Sequence, residues 1–188
     1  MAYSPSPVAP LPHSWNGLPG WEATERTLPS GGFESRQRVF VPEAAVEASE
    51  AGARWLGVTY WQAVDAFTHG GVRASWGDEG GRLRLLGGAT LLRFGPPELA
   101  WADRLVSCRY GIEGGLLALR PGGSVTLAQH TDVAGYELSV TVEEYVPRLA
   151  ARVGAPWWTG ILYAKGQSPF HAPVSRRYFR LLEQGRAT

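Results

Sequence analysis

The sequence predicts an α+β fold: a curved antiparallel sheet of about seven strands wrapped on a long C-terminal helix, with two short helical pieces after the first strand. Three observations carry this reading. Glycine-punctuated β-like segments run from about Val72 to Tyr145. A helix-like stretch, from Val46 to Phe67, precedes them, and a Trp/Tyr-rich stretch from Pro156 to Glu183 follows. A long antiparallel ladder followed by an amphipathic terminal helix can close a cavity over a curved sheet.

Residues 1–32 carry Pro5, Pro7, Pro10, Pro12, Pro19 and Pro29 among Ser and Gly, which disfavours helix or central strand. They read as an N-terminal arm, and residues 33–188 as one domain. Trp15, Leu18 and Trp21 are unusual in a solvated tail, so the arm is expected along the domain surface or on a partner, including a second copy of the chain. Phe33, Ser35, Gln37, Val39 and Val41 alternate with Glu34, Arg36, Arg38 and Phe40 to give a first strand with one more polar face, ended by Pro42. Glu43 to Glu50 is rich in Ala and Glu and favours helix. Tyr60, Trp61, Val64 and Phe67 recur at helical spacing after a break permitted by Gly52 and Gly57, and the second piece stops at His69-Gly70-Gly71.

The strands expected next are Val72 to Trp76, Arg82 to Leu86, Ala89 to Phe94, Leu99 to Ile112, Gly115 to Arg120, and Ser124 to Tyr145 with a bend near Gly135. The intervening Gly-Gly, Gly-Pro-Pro, Glu-Gly and Pro-Gly-Gly segments are turn chemistries. Pro156 suits a first helical turn, with Trp157, Trp158, Ile161 and Leu162 behind it. Phe170, Val174, Tyr178 and Leu181 form a stripe at near-helical intervals, interrupted by Pro169 and Pro173, which predicts a broken terminal helix whose second half packs on the sheet.

This element order, over Phe33 to Gln184, resembles the START/Bet v1-like superfamily (the SRPBCC or polyketide cyclase-like group) with its helix-grip fold. The tail from Leu162-Tyr163 through Gln167-Ser168-Pro169 to Arg176-Arg177-Tyr178 shares its texture. The resemblance implies a hydrophobic cavity between sheet and terminal helix, used in that group for lipids, sterols, polyketides or plant hormones, and at times for cyclisation or dehydration. The proline-rich arm and the two prolines in the terminal helix depart from the pattern. A lipocalin-like barrel has a similar strand count, but helical pieces between the first and second strands favour the helix grip, since an up-and-down barrel needs only hairpins there.

At 188 residues the chain is long enough to bury about 70% of its extended surface in one core. A net charge of +1, with no basic run, argues against a nucleic-acid or anionic-membrane partner, and no apolar stretch is long enough for membrane insertion. Cys108 is the sole cysteine, so an intrachain disulfide and a Cys-based zinc site are excluded. With no targeting segment apparent, a cytoplasmic setting is expected, and the single Lys165 and Asn16 suggest a GC-rich bacterial genome. No cofactor motif is present: Gly122-Gly123-Ser124 lacks the P-loop lysine, and no Gly-x-Ser-x-Gly elbow occurs.

His130 and Asp132 stand two residues apart on one side of an extended strand, where they can act as base and orienting partner; the plainer alternative is a solvent-facing pair at a strand bend. His69 reads as a helix-terminal cation, and His13 and His171 have no ligand partners at metal spacing. Arg104, Val106, Cys108, Tyr110 and Ile112 share one face of the long strand. If that face lines the cavity, a guanidinium, a thiol and a phenol stand in an apolar wall able to orient a carboxylate- or carbonyl-bearing ligand. Trp61, Trp76 and Trp158 are the pocket aromatics expected from the remainder, although each can equally fill a core. The first functional expectation is therefore binding of a hydrophobic small molecule, oriented by Arg104, Tyr110 or His130. The alternative is a cyclase or dehydratase-like enzyme in which His130 with Asp132, or Tyr110, moves a proton; a third reading is an interaction module using the aromatic arm.

Overall fold

The computed structural model describes residues 20–86, 88–133, 135–148 and 168–185. It forms one eight-stranded antiparallel sheet in the order β1-β2-β8-β7-β6-β5-β4-β3, with two helices on one face. Its strands are β1 (Glu22–Thr27), β2 (Phe33–Val41), β3 (Val72–Gly77), β4 (Gly80–Leu85), β5 (Thr90–Ala102), β6 (Leu105–Gly114), β7 (Ser124–Asp132) and β8 (Gly135–Tyr145). Helix α1 (Glu50–Phe67) lies between β2 and β3 in sequence, and α2 (Ser168–Gly185) comes after β8.

Strand β2 pairs with β8, far from it in sequence, because α1 carries the chain across the sheet to its far edge before the meander begins. From β3 onward each strand pairs with the next, antiparallel. Strand β1 lies in the proline-rich stretch, but the proline-free run Glu22–Thr27 adds an eighth strand on the outer edge of β2.

A single helix replaces the two expected pieces. The run from Glu43 to Ala48 contains good helix formers, yet it is not helical. The Gln129 side chain accepts from the backbone N–H groups of Ala45 and Val46 at 2.6 and 3.0 Å and donates to the Val46 carbonyl at 2.8 Å. With these backbone groups taken by a tertiary partner, the segment cannot form the local i to i−4 bonds a helix needs. Ser49 then caps α1, its hydroxyl accepting from the Gly52 N–H at 3.1 Å. Gly52 and Gly57 do not break the helix. At the far end, Thr68 Oγ1 donates to the Val64 carbonyl at 3.0 Å, and His69 and Gly70 take left-handed backbone conformations.

The meander also differs from expectation. Leu99 to Ile112 is not one strand: the chain reverses at Asp103-Arg104, where β5 and β6 meet through the pairs Ala102↔Leu105 and Trp101↔Val106. Gly95-Pro96-Pro97 is not a turn but lies within β5, where the pairing with β6 skips from Phe94 to Pro97. Prolines are tolerated in a paired strand at such an irregularity, since no ladder N–H is needed there. Residues 115–120 form no strand beyond a single bridge, Ala118↔Pro147, and Gly114 and Gly115 both take positive φ.

Strand alternation sets the two faces. Val39, Leu138, Val140, Val142, Val125, Leu127, Val106, Cys108, Tyr110 and Ile112 are buried on the inner face. The outer face carries Arg36, Arg38 and Glu137, with the carboxylate bridging both guanidinium groups at 2.6 and 2.9 Å. Helix α1 packs across the inner face on β3, β5, β6 and β7, and α2 packs on α1 and β2. Helix α2 is continuous from Ser168 to Gly185 with Pro173 inside it, so the break expected at Pro173 is absent, while the first half of the expected terminal helix, from Pro156, lies outside the described residues.

Candidate functional site

The inner face under the two helices holds a chain of polar groups in an otherwise apolar core. Beneath α1, Trp61 meets Tyr110 edge-on at 5.3 Å between ring centres, tilts against Phe94 at 5.0 Å, and stacks on Trp76 at 5.9 Å. Tyr110 and Cys108, two residues apart on β6, share this face, with the phenol oxygen and the thiol both lying against Gly57 of α1. Helix α1 approaches them at Gly57, where a side-chain carbon would fall 2.9 Å from the Cys108 sulfur. Glycine is therefore what lets the helix backbone lie on the phenol and thiol.

Helix α2 supplies the next groups. His171, Ser175, Tyr178 and Leu182 recur at three- and four-residue steps and so form one stripe. Tyr178, 1% exposed, meets Tyr60 of α1 edge-on at 5.6 Å. The Ser175 hydroxyl donates to Gln37 Oε1 at 3.3 Å, and His171 stacks on Phe33 at 5.8 Å. Ser35 and Gln37 lie side by side between Phe33 and Val39 on the inner face of β2.

Several of these buried polar atoms have no hydrogen-bond partner among the described residues: Tyr178 Oη, Gln37 Nε2, Ser35 Oγ and, on α1, Thr59 Oγ1. A buried unpaired polar group costs about 1–3 kcal/mol, so a set of them in one interior is unusual for a region whose only task is packing.

The ionisable members of the wall are held neutral. Burial pushes the Tyr60 phenol up to about 12 and the Cys108 thiol up to about 11. Burial, with the Cys108 sulfur close by, raises Tyr110 further, and Tyr178 lies well above the usual phenol range for the same reason. Desolvation holds His171 down to about 4. At neutral pH these groups offer phenol, thiol and neutral imidazole, which orient and donate hydrogen bonds; none is primed as a base.

The structure brings together Trp61, Trp76, Cys108 and Tyr110, and separates the other expected site residues from them. His130 and Asp132 lie on the outer face of β7, both exposed, and Asp132 Oδ1 accepts from the Val133 N–H at 2.7 Å. Arg104 sits in the β5–β6 turn, its carbonyl accepting from the Thr131 N–H at 3.0 Å. Turn formation at Asp103-Arg104 removes Arg104 from the strand face it was expected to share. Trp158 lies outside the described residues, as do Trp157, Ile161, Leu162, Trp15, Leu18 and His13. Trp21 is docked within the chain, edge-on to Phe179 at 5.8 Å with Arg176 over its ring at 5.2 Å.

Two clefts lined by described residues border the sheet. One of about 350 Å³ runs along β1, β2 and β8, with Ser35 and Val142 beside the charged Glu25, Arg26, Glu34, Arg36 and Glu143 among its residues. The other, about 130 Å³, lies by the segment preceding α1 and includes Gln129 and Tyr136. Among the described residues no group of three or more His, Cys, Asp or Glu could hold a metal ion, and no helix is long and apolar enough to cross a membrane.

Sheet order and helix placement define an α+β protein with a helix-grip fold. Among solved structures the chain is similar to CalU16 from Micromonospora echinospora. Its crystal structure aligns at 16% identity and a TM-score of 0.35, over 85% of this chain and 93% of that one. Its solution NMR structure aligns at 12% identity and a TM-score of 0.28, over 93% and 98% respectively. No protein-family model and no curated protein matches the chain. Likenesses this loose carry no functional conclusion, which has to come from the site itself.

Proposed function

We propose that this chain is a START/Bet v1-like protein that binds a hydrophobic small molecule between its sheet and α2. The observation that carries the reading is the set of buried polar atoms, above all Tyr178 Oη and Gln37 Nε2, that have no partner among the described residues and stand in an apolar wall. A few convergent polar groups in apolar surroundings are what fixes the orientation of an apolar ligand. Trp61, Trp76, Cys108 and Tyr110 extend the wall under α1, where Tyr110 serves as an orienting group.

The test separates a ligand-binding hydroxyl from a packing one. Tyr178→Phe removes a buried oxygen with no partner among the described residues, so the free protein is expected to keep or gain stability, by up to about 1–2 kcal/mol in urea denaturation. The same variant is expected to lose a ligand that native mass spectrometry detects on freshly purified wild-type protein. Wild-type protein that is empty, and that takes up no apolar probe, would sink the reading.

A further inference from the structure

The polar wall under α2 has a character that narrows the ligand, if the binding reading above holds. Ser35, Gln37, Ser175 and Tyr178 are all uncharged and buried. Among the described residues, the ionisable groups bordering them oppose one another in sign. Glu25 stands opposite Ser35 in the β1–β2 register and so shares its face, and Arg176 on α2 is placed over the Trp21 ring. Of the other charges of β2 and β8, Arg36, Arg38 and Glu137 pair on the opposite face of the sheet, Glu34 pairs with Arg26, and Glu143 and Glu144 are exposed.

We infer that the ligand is uncharged and presents a hydrogen-bond-accepting oxygen to Gln37 Nε2 and Tyr178 Oη, and that the site discriminates against carboxylates and ammonium ions. An ion entering this wall would lose its hydration beside two bordering charges of opposite sign, Glu25 and Arg176, one attracting and the other repelling it, whereas a hydroxyl or carbonyl oxygen would satisfy donors that have no partner among the described residues. His171, held neutral by its surroundings, adds no charge to the wall near pH 7.

The experiment compares three ligands of one chain length, decanol, decanoate and decylammonium, displacing the uncharged probe N-phenyl-1-naphthylamine at pH 7.5. Decanol is expected to bind at least about tenfold more tightly than either ion. In Gln37→Met that ratio is expected to shrink, because the amide donor is gone. Equal or tighter binding of an ion overturns the inference and leaves the binding reading standing. An unchanged ratio in Gln37→Met overturns the assignment of the preference to this wall. Failure of the probe and all three ligands to bind overturns both readings.

Discussion

Gly57 of α1 lies directly against the hydroxyl of Tyr110, so that a methyl group on the helix would overlap the phenol oxygen and reach the Cys108 sulfur at 2.9 Å. Gly57→Ala brings two opposing effects. Alanine favours helix by up to about 1 kcal/mol, while overpacking a filled core costs about 1–3 kcal/mol. Net destabilisation is expected because Tyr110 is 3% exposed and boxed in by Trp61 and Phe94. Adding Tyr110→Phe removes the colliding oxygen, so the double variant should recover part of the loss. Urea denaturation of the four proteins in that cycle measures the coupling, and additive losses would refute the contact.

His171 gives the fold a pH dependence whose sign follows from its desolvation. Its folded-state value is held down to about 4 from an ordinary 6.5, so between those values the unfolded chain binds the proton and the folded chain does not. Stability is therefore complete above about pH 6.5 and declines as pH falls towards 4, by at most about 3 kcal/mol. His171→Phe retains a ring against Phe33 and should flatten this part of the stability profile. An unchanged slope between pH 6.5 and 4 would show that another group is responsible.

Glu137 bridges Arg36 and Arg38 on the outer face. Burial works to raise its carboxyl value, but the two guanidinium groups prevail and hold it below the ordinary range. Its contribution is present above the ordinary carboxylate value and is lost as pH falls through the lowered one. Glu137→Gln leaves two neighbouring cations without their shared anion. Because both arginines are partly exposed, the expected cost is modest, about 1–2 kcal/mol, and thermal denaturation at low and high salt should show it shrinking with salt.

Much of the architecture is legible in the sequence because strand alternation and glycine turns are local signals. Val72, Ser124 and Tyr145 sit at strand ends much as their surroundings predict. The failures have tertiary causes. Gln129 takes the backbone groups that would have made a helix before Ser49, and a pairing irregularity lets β5 absorb Pro96 and Pro97. The true reversal at Asp103-Arg104 carries no glycine or proline to mark it. Parity correctly groups Val106, Cys108, Tyr110 and Ile112, but cannot show which face they take. Gln37 and Ser35 escape notice as site residues, although two polar side chains set between Phe33 and Val39 at two-residue steps are a signal of a polar group on an inner face. Tyr178 is visible as part of an apolar stripe, yet only the fold shows its oxygen buried with no partner among the described residues.

The sole cysteine of the chain is fully buried between β6 and α1, beneath Gly57. Its thiol is shielded both sterically and by a value raised to about 11, so alkylating reagents can reach it only when α1 lifts from the sheet. The molecule thus carries a built-in clock for core opening: the labelling rate of one native atom, with no engineered probe and no competing thiol, reports how often the two layers part.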